Sequence, residues 1–189
     1  MSNFQKMNAY VFIPLFNLPS LFMCDPLYEN MTHIAYAKHH FFYVVLWSIS
    51  CALTLFISTR QFMHLLEYKK KSTDILLLLV CTLMIISVCI PYDNHSLTWL
   101  DKLHVRLAMI ATIGYILLFF YLLVKNYYLH YSIIAPMFRY YCMMITCLSI
   151  LFLVLGSVSL LVEISFVMGM SILLYEGNKK AAHIYAAKS

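Results

Sequence analysis

The stretch Thr73–Pro91 reads TDILLLLVCTLMIISVCIP and decides what kind of protein this is. Its one charged side chain is Asp74, at its start. As a helix it would rise about 28 Å at ~1.5 Å per residue, close to the roughly 30 Å hydrocarbon core of a bilayer. Its apolar residues run continuously and do not alternate in the short segments that barrel strands show. In lipid every backbone polar group must be satisfied internally, so this run is a transmembrane helix.

Four similar runs follow from the same reasoning: His39–Thr59, His104–Val124, Met137–Gly156 and Ser159–Tyr175. The last two are almost fused. One helix from Tyr140 to Tyr175 would be about 54 Å long, too long for one crossing. A tight turn is therefore predicted at Gly156-Ser157-Val158-Ser159. A first run, Met7–Cys24, is apolar but holds Pro14 and Pro19. It is read as a sixth, kinked crossing; a re-entrant or signal-like stretch is the alternative, which leaves five spans. Its only preceding cation is Lys6 and it shows no small-x-small cleavage site, so removal is not expected.

The whole composition agrees. Of 189 residues, 63% are hydrophobic and 11% charged, against about 25% charged in soluble domains. The predicted fold is all-α, a polytopic membrane helix bundle in one transmembrane domain over residues 1–189, with no repeat and no soluble module.

Cations set the orientation. With six spans and the N-terminus inside, Lys6, Arg60, Lys69, Lys70, Lys71, Lys125, Arg139, Lys179, Lys180 and Lys188 fall on the inner side. Only Lys38, Lys102 and Arg106 fall outside, beside Asp25, Glu29, Asp93 and Asp101. Both termini are thus expected in the cytoplasm. The same bias explains the net charge of +5 and leaves no reason to invoke nucleic acid. Tyr127, Tyr128, Tyr131, Tyr140 and Tyr141 flank an inner loop, and Tyr92 and Trp99 the outer boundary, as interfacial anchors do.

Candidate chemistry lies at the outer boundary. Its ionisable residues are His33, His39, His40, Asp93, His95, Asp101, His104, Arg106 and Glu163. Such groups within spans tend to face the bundle interior or water. His40, Tyr43, Trp47, Cys51, Thr54 and Ser58 share a polar stripe, predicted to face protein. His104, Ala108, Ala111 and Tyr115 share a face of small and polar groups that favours close helix packing. Arg106 points about 200° away from His104, toward the headgroups. Asp101 offsets the positive end of the helix it opens. A carboxylate at Glu163 would seek a cation, with His40, His104 and Arg106 as candidates, or become protonated; the plainer reading is a clamp between spans. The six cysteines match no zinc spacing, although Cys24 and Cys89 both fall near the outer boundary. Sequons occur at Asn30-Met31-Thr32 and Asn94-His95-Ser96, both in outer loops.

The segment Ile90-Pro91-Tyr92-Asp93, then Leu103-His104, Ala108 and Ala111, with Glu163 at the start of the last span, resembles the DRAM/Frag/Sfk-type group of six-span membrane proteins and related bacterial families of small polytopic proteins. The likeness covers most of the chain in topology and about twenty residues in motif; the first outer loop, Asp25–Lys38, departs from it. It implies a role in lipid organisation or remodelling, without a defined reaction.

Two function classes follow. The first is a non-enzymatic protein that binds or organises lipid through an outward-facing polar pocket containing His40, Asp93, Asp101, His104 and Glu163, with Arg106 on headgroups. The second is a membrane-embedded lipid hydrolase or transferase using the same His and carboxylate groups as acid and base or as metal ligands. A small transporter, and a b-type haem protein with His40 and His104 as axial ligands, rank below them. No cofactor is predicted; zinc belongs to the second class and haem to the last. The expected partners are membrane lipids and other chains, alike or different, within the bilayer.

Overall fold

A computed structural model describes residues 3–92 and 99–186. Asp93, the sequon at Asn94 and His95 lie outside them, so their predicted roles fall outside the described structure. Every regular element among the described residues is helical. Five helices are long and apolar enough to cross a membrane: α5 (Phe41–Leu65), α6 (Lys71–Cys89), α7 (Trp99–Asn126), α8 (Tyr131–Leu155) and α9 (Leu160–Ala186). They run past the apolar stretches into interfacial residues. α9, for example, continues from Tyr175 through Lys179 and Lys180. The predicted turn is present: Gly156 takes φ +70° and its N–H reaches the Phe152 carbonyl at 2.9 Å. Glycine ends α8 there because it lacks the Cβ that penalises a left-handed cap.

The helices close into a ring. α5 packs between α6 and α9, α6 lies on α7, and α8 joins α9 and, more lightly, α7. Aromatic rings fill the centre. Tyr115 stacks on Phe119 with centroids 6.4 Å apart and meets Phe166 edge-on at 6.2 Å. The Tyr115 hydroxyl pairs with Thr59 at 2.8 Å, and Tyr141 donates to the Ile116 carbonyl at 2.7 Å. These two buried hydroxyls thus have the partners that a dry interior requires.

α8 sits on the rim. Only 6% of its most apolar window is buried, against 28–56% for the other four helices. It is held closely to α9 because Gly177 and Gly169 leave room for Met137 and Met144 against the α9 backbone.

The first apolar run is helical but subdivided: α1 (Asn3–Met7), a π-helical turn (Asn8–Phe12), α2 (Ile13–Asn17) and α3 (Ser20–Met23). The prolines explain the breaks, since neither can donate the helical N–H. The Leu15 carbonyl, which Pro19 cannot serve, takes the Leu18 N–H at 3.3 Å. Leu18 and Pro19 keep right-handed helical torsions, so the path continues until Cys24 turns extended. The run lies antiparallel to α5. The Gln5 amide donates to Gln61, Asn8 to Thr54 at 2.9 Å, and Trp47 donates its indole N–H to Asn17 at 2.7 Å. Tyr43 reaches the Phe16 carbonyl at 2.8 Å. From Gln61 to Trp47 these pairs follow α5 for about 21 Å. The predicted polar stripe of α5 does face protein: Trp47, Cys51 and Thr54 are buried and Tyr43 and Ser58 half-buried, while His40 at its end is exposed.

Candidate functional site

The outer end of the bundle is organised by α4 (Met31–Tyr36), a short helix in what the sequence suggested was an irregular loop. Asn30 starts it: its side chain accepts the His33 N–H at 3.0 Å, the usual service of an Asn cap. Glu29 and His33 pair at 2.9 Å one turn apart. The Asn30 amide also donates to the Val158 carbonyl at 3.4 Å, in the turn before α9.

α4 and α9 cap each other. A helix start leaves its first N–H groups without intrahelical partners. The Glu29 carbonyl accepts from Leu160 at 2.6 Å and the Pro26 carbonyl from Leu161 at 2.9 Å. In return, Glu163 Oε2 accepts the N–H of Met31, the first residue of α4, at 2.9 Å. The sequence left Glu163 with a cationic partner, a protonated state or a clamp between spans as alternatives. The structure gives it a backbone donor instead, because the start of α4 already presents an orphan N–H there. Arg106 is exposed and takes no part, in line with its predicted outward direction.

The next residue of α4, Thr32, engages α7. Its hydroxyl lies 3.2 Å from His104 Nε2, and His104 Nδ1 lies 3.2 Å from the Ile90 carbonyl. That carbonyl can only accept, so Nδ1 carries the proton and Nε2 accepts from Thr32. His104 is only 6% exposed, and the Tyr92 ring covers it at 5.2 Å. Tyr36 donates to the Val88 and Ile90 carbonyls at 2.8 and 3.0 Å, tying α4 to the end of α6. Its burial raises the phenol above the ordinary value, so it stays a donor. Asp101 is buried in the first turn of α7.

Of the five predicted pocket residues, His104 and Glu163 are therefore linked through adjacent residues of α4. Asp101 belongs to the same end of the bundle, and Asp93 is outside the described residues. His40 corrects the prediction: it is exposed at the start of α5, makes no side-chain cap, and does not join the pair. Both nitrogens of His104 are engaged by protein, Nδ1 by the Ile90 carbonyl and Nε2 by the Thr32 hydroxyl. Among the described residues no group of three His, Cys, Asp or Glu side chains is arranged to hold a metal. Cys24 and Cys89 are free thiols.

A second feature stands at the opposite end, where sequence reading saw only charge and aromatic anchors. A groove of about 550 Å³ lies between α8 and α9. Ile133, Met137, Ile172, Leu173 and Ile184 form its aliphatic wall, and Tyr140, Glu176, Lys179, Lys180 and His183 its polar rim. Pro136, which cannot donate to the Ser132 carbonyl, lines it as well. The usable signal in the sequence was the i, i+3, i+4 spacing of Glu176, Lys179, Lys180 and His183, which puts them along one edge of α9. No protein-family model, no curated protein and no solved structure matches this chain, and the chemistry of both features is read from their geometry alone.

Proposed function

We propose that this chain is a multi-pass membrane protein with six crossings and both termini in the cytoplasm, which binds membrane lipid without transforming it. The observation that carries this reading is the groove between α8 and α9. It has an aliphatic wall and a cationic rim, the two-ended chemistry of an amphiphile, and a volume within the roughly 300–1,000 Å³ usual for ligand sites. It opens on the least covered helix of the bundle, where lipid has access.

The charge asymmetry supports the orientation, and the antiparallel pairing of the first run with α5 supports a sixth crossing. The outer cluster supports the non-enzymatic alternative. A general acid or base must reach a substrate proton, whereas Glu163 serves the Met31 N–H and His104 serves Thr32 and Ile90. The DRAM/Frag/Sfk-type resemblance points to the same lipid-linked role.

Native mass spectrometry of the full chain released from lipid nanodiscs tests this. Retained lipid is expected on the wild type and reduced in Ile184→Trp, whose indole narrows the inner end of the groove. Equal retention by both, or none by the wild type, would overturn the assignment.

A further inference from the structure

The geometry points to an acidic phospholipid of the inner leaflet as the occupant of the α8–α9 groove, with Lys179 and Lys180 on its phosphate. This rests on the lipid-binding reading and adds the headgroup class to it.

The rim carries the argument. Two lysines and His183 face one carboxylate, Glu176. That carboxylate is already engaged: its Oε1 accepts the Tyr10 hydroxyl at 2.8 Å from the N-terminal run. The lysines are exposed and form no ion pair among the described residues. Two lysines against one carboxylate leave the groove mouth with a net positive charge. Tyr140, exposed on α8, lines the other wall of the groove deeper along α9.

Depth gives the leaflet. α9 begins at Leu160 beside the outer cluster, and Lys179 lies about 28 Å further along its axis. That distance places the rim near the opposite boundary of a bilayer core. Below the rim, Met137, Ile172 and Leu173 offer a track for an acyl chain. A zwitterionic headgroup would set its own cation against the lysines. An acidic headgroup leaves a net negative charge for them, and the cytoplasmic leaflet is where such lipids attract basic segments. Each lysine near the surface is worth roughly fivefold in affinity for acidic lipid.

The test uses the full chain in nanodiscs of equimolar phosphatidylcholine and phosphatidylglycerol, read by native mass spectrometry of the lipid that stays bound. The wild type is expected to retain phosphatidylglycerol preferentially. K179Q/K180Q should reduce that preference at least about fivefold, and its surface positions leave the bundle intact. K69Q/K70Q removes the same charge from the inner loop between α5 and α6 and should leave the preference unchanged. Equal losses in the two variants would assign the preference to the general positive field of the inner face and overturn the site. A wild type that retains both lipids alike would overturn the headgroup assignment while keeping the lipid-binding reading. Retention of no lipid would overturn both.

Discussion

Glu163 Oε2 accepts the backbone N–H of Met31 at 2.9 Å, joining residues 132 apart in the chain. The bond is half of a mutual arrangement in which Pro26 and Glu29, just before α4, supply carbonyls to the start of α9, and α9 supplies a carboxylate to the start of α4. It makes the outer cluster a fastening between helices that sequence places far apart.

Removing the acceptor should therefore cost stability. Glu163→Ala leaves the Met31 N–H unsatisfied, at about 1–3 kcal/mol. Glu163→Gln keeps an oxygen at that position and should retain most of the wild-type value. Thermal unfolding in detergent compares the two; equal losses would mean that negative charge matters there, and not the cap.

Thr32 and His104 should be energetically coupled. Thr32→Val removes the hydroxyl that His104 Nε2 accepts, and His104→Ala removes the ring. A double-mutant cycle on denaturant unfolding should give a coupling of ~0.5–1.5 kcal/mol. Additive losses would show that the 3.2 Å contact contributes nothing.

Tyr36 gives α4 an alkaline limit. Its burial stabilises the neutral phenol, so the folded value is raised above the unfolded one near 10. A raised group contributes fully below the unfolded value and loses that contribution as pH rises through the folded value. The stability gap between wild type and Tyr36→Phe should hold from neutral pH to about 10 and shrink above it. A gap that narrows already between pH 7 and 9 contradicts this.

Gly177 should tolerate little bulk. A Cβ there meets the Sδ and Cε atoms of Met137, at the far end of a flexible side chain. Gly177→Ala should be mild, whereas Gly177→Leu should lower stability by ~1–3 kcal/mol through overpacking. Met137→Ala should recover part of the Gly177→Leu loss, measured by the same unfolding assay. Without any recovery, the close approach of α8 and α9 is not set by this pair.

Asn30 should remain without glycan in a cell that modifies sequons. Its amide caps α4 and reaches Val158, so neither end is free for the sugar. Glycosidase treatment should leave gel mobility unchanged, and a shift that Asn30→Gln abolishes would show the opposite.

The sequence by itself determined the bundle. Continuous apolar runs near 20 residues have one solution in lipid, and Gly156 between two fused runs marks the turn where its missing Cβ is needed. Helical spacing also gave the inward side of His104 and the buried stripe of α5, because those directions depend only on position along one helix. Partner choice was different. Nothing local tells Glu163 that its donor is the first N–H of α4, or that His40 stands outside the cluster. Those depend on where a six-residue helix lies across the ends of α7 and α9, and α4 is too short for periodicity to reveal. The groove likewise needed tertiary structure. Lys179 and Lys180 read as topology signals until α8, brought close by Gly177 and Met137, supplied the second wall.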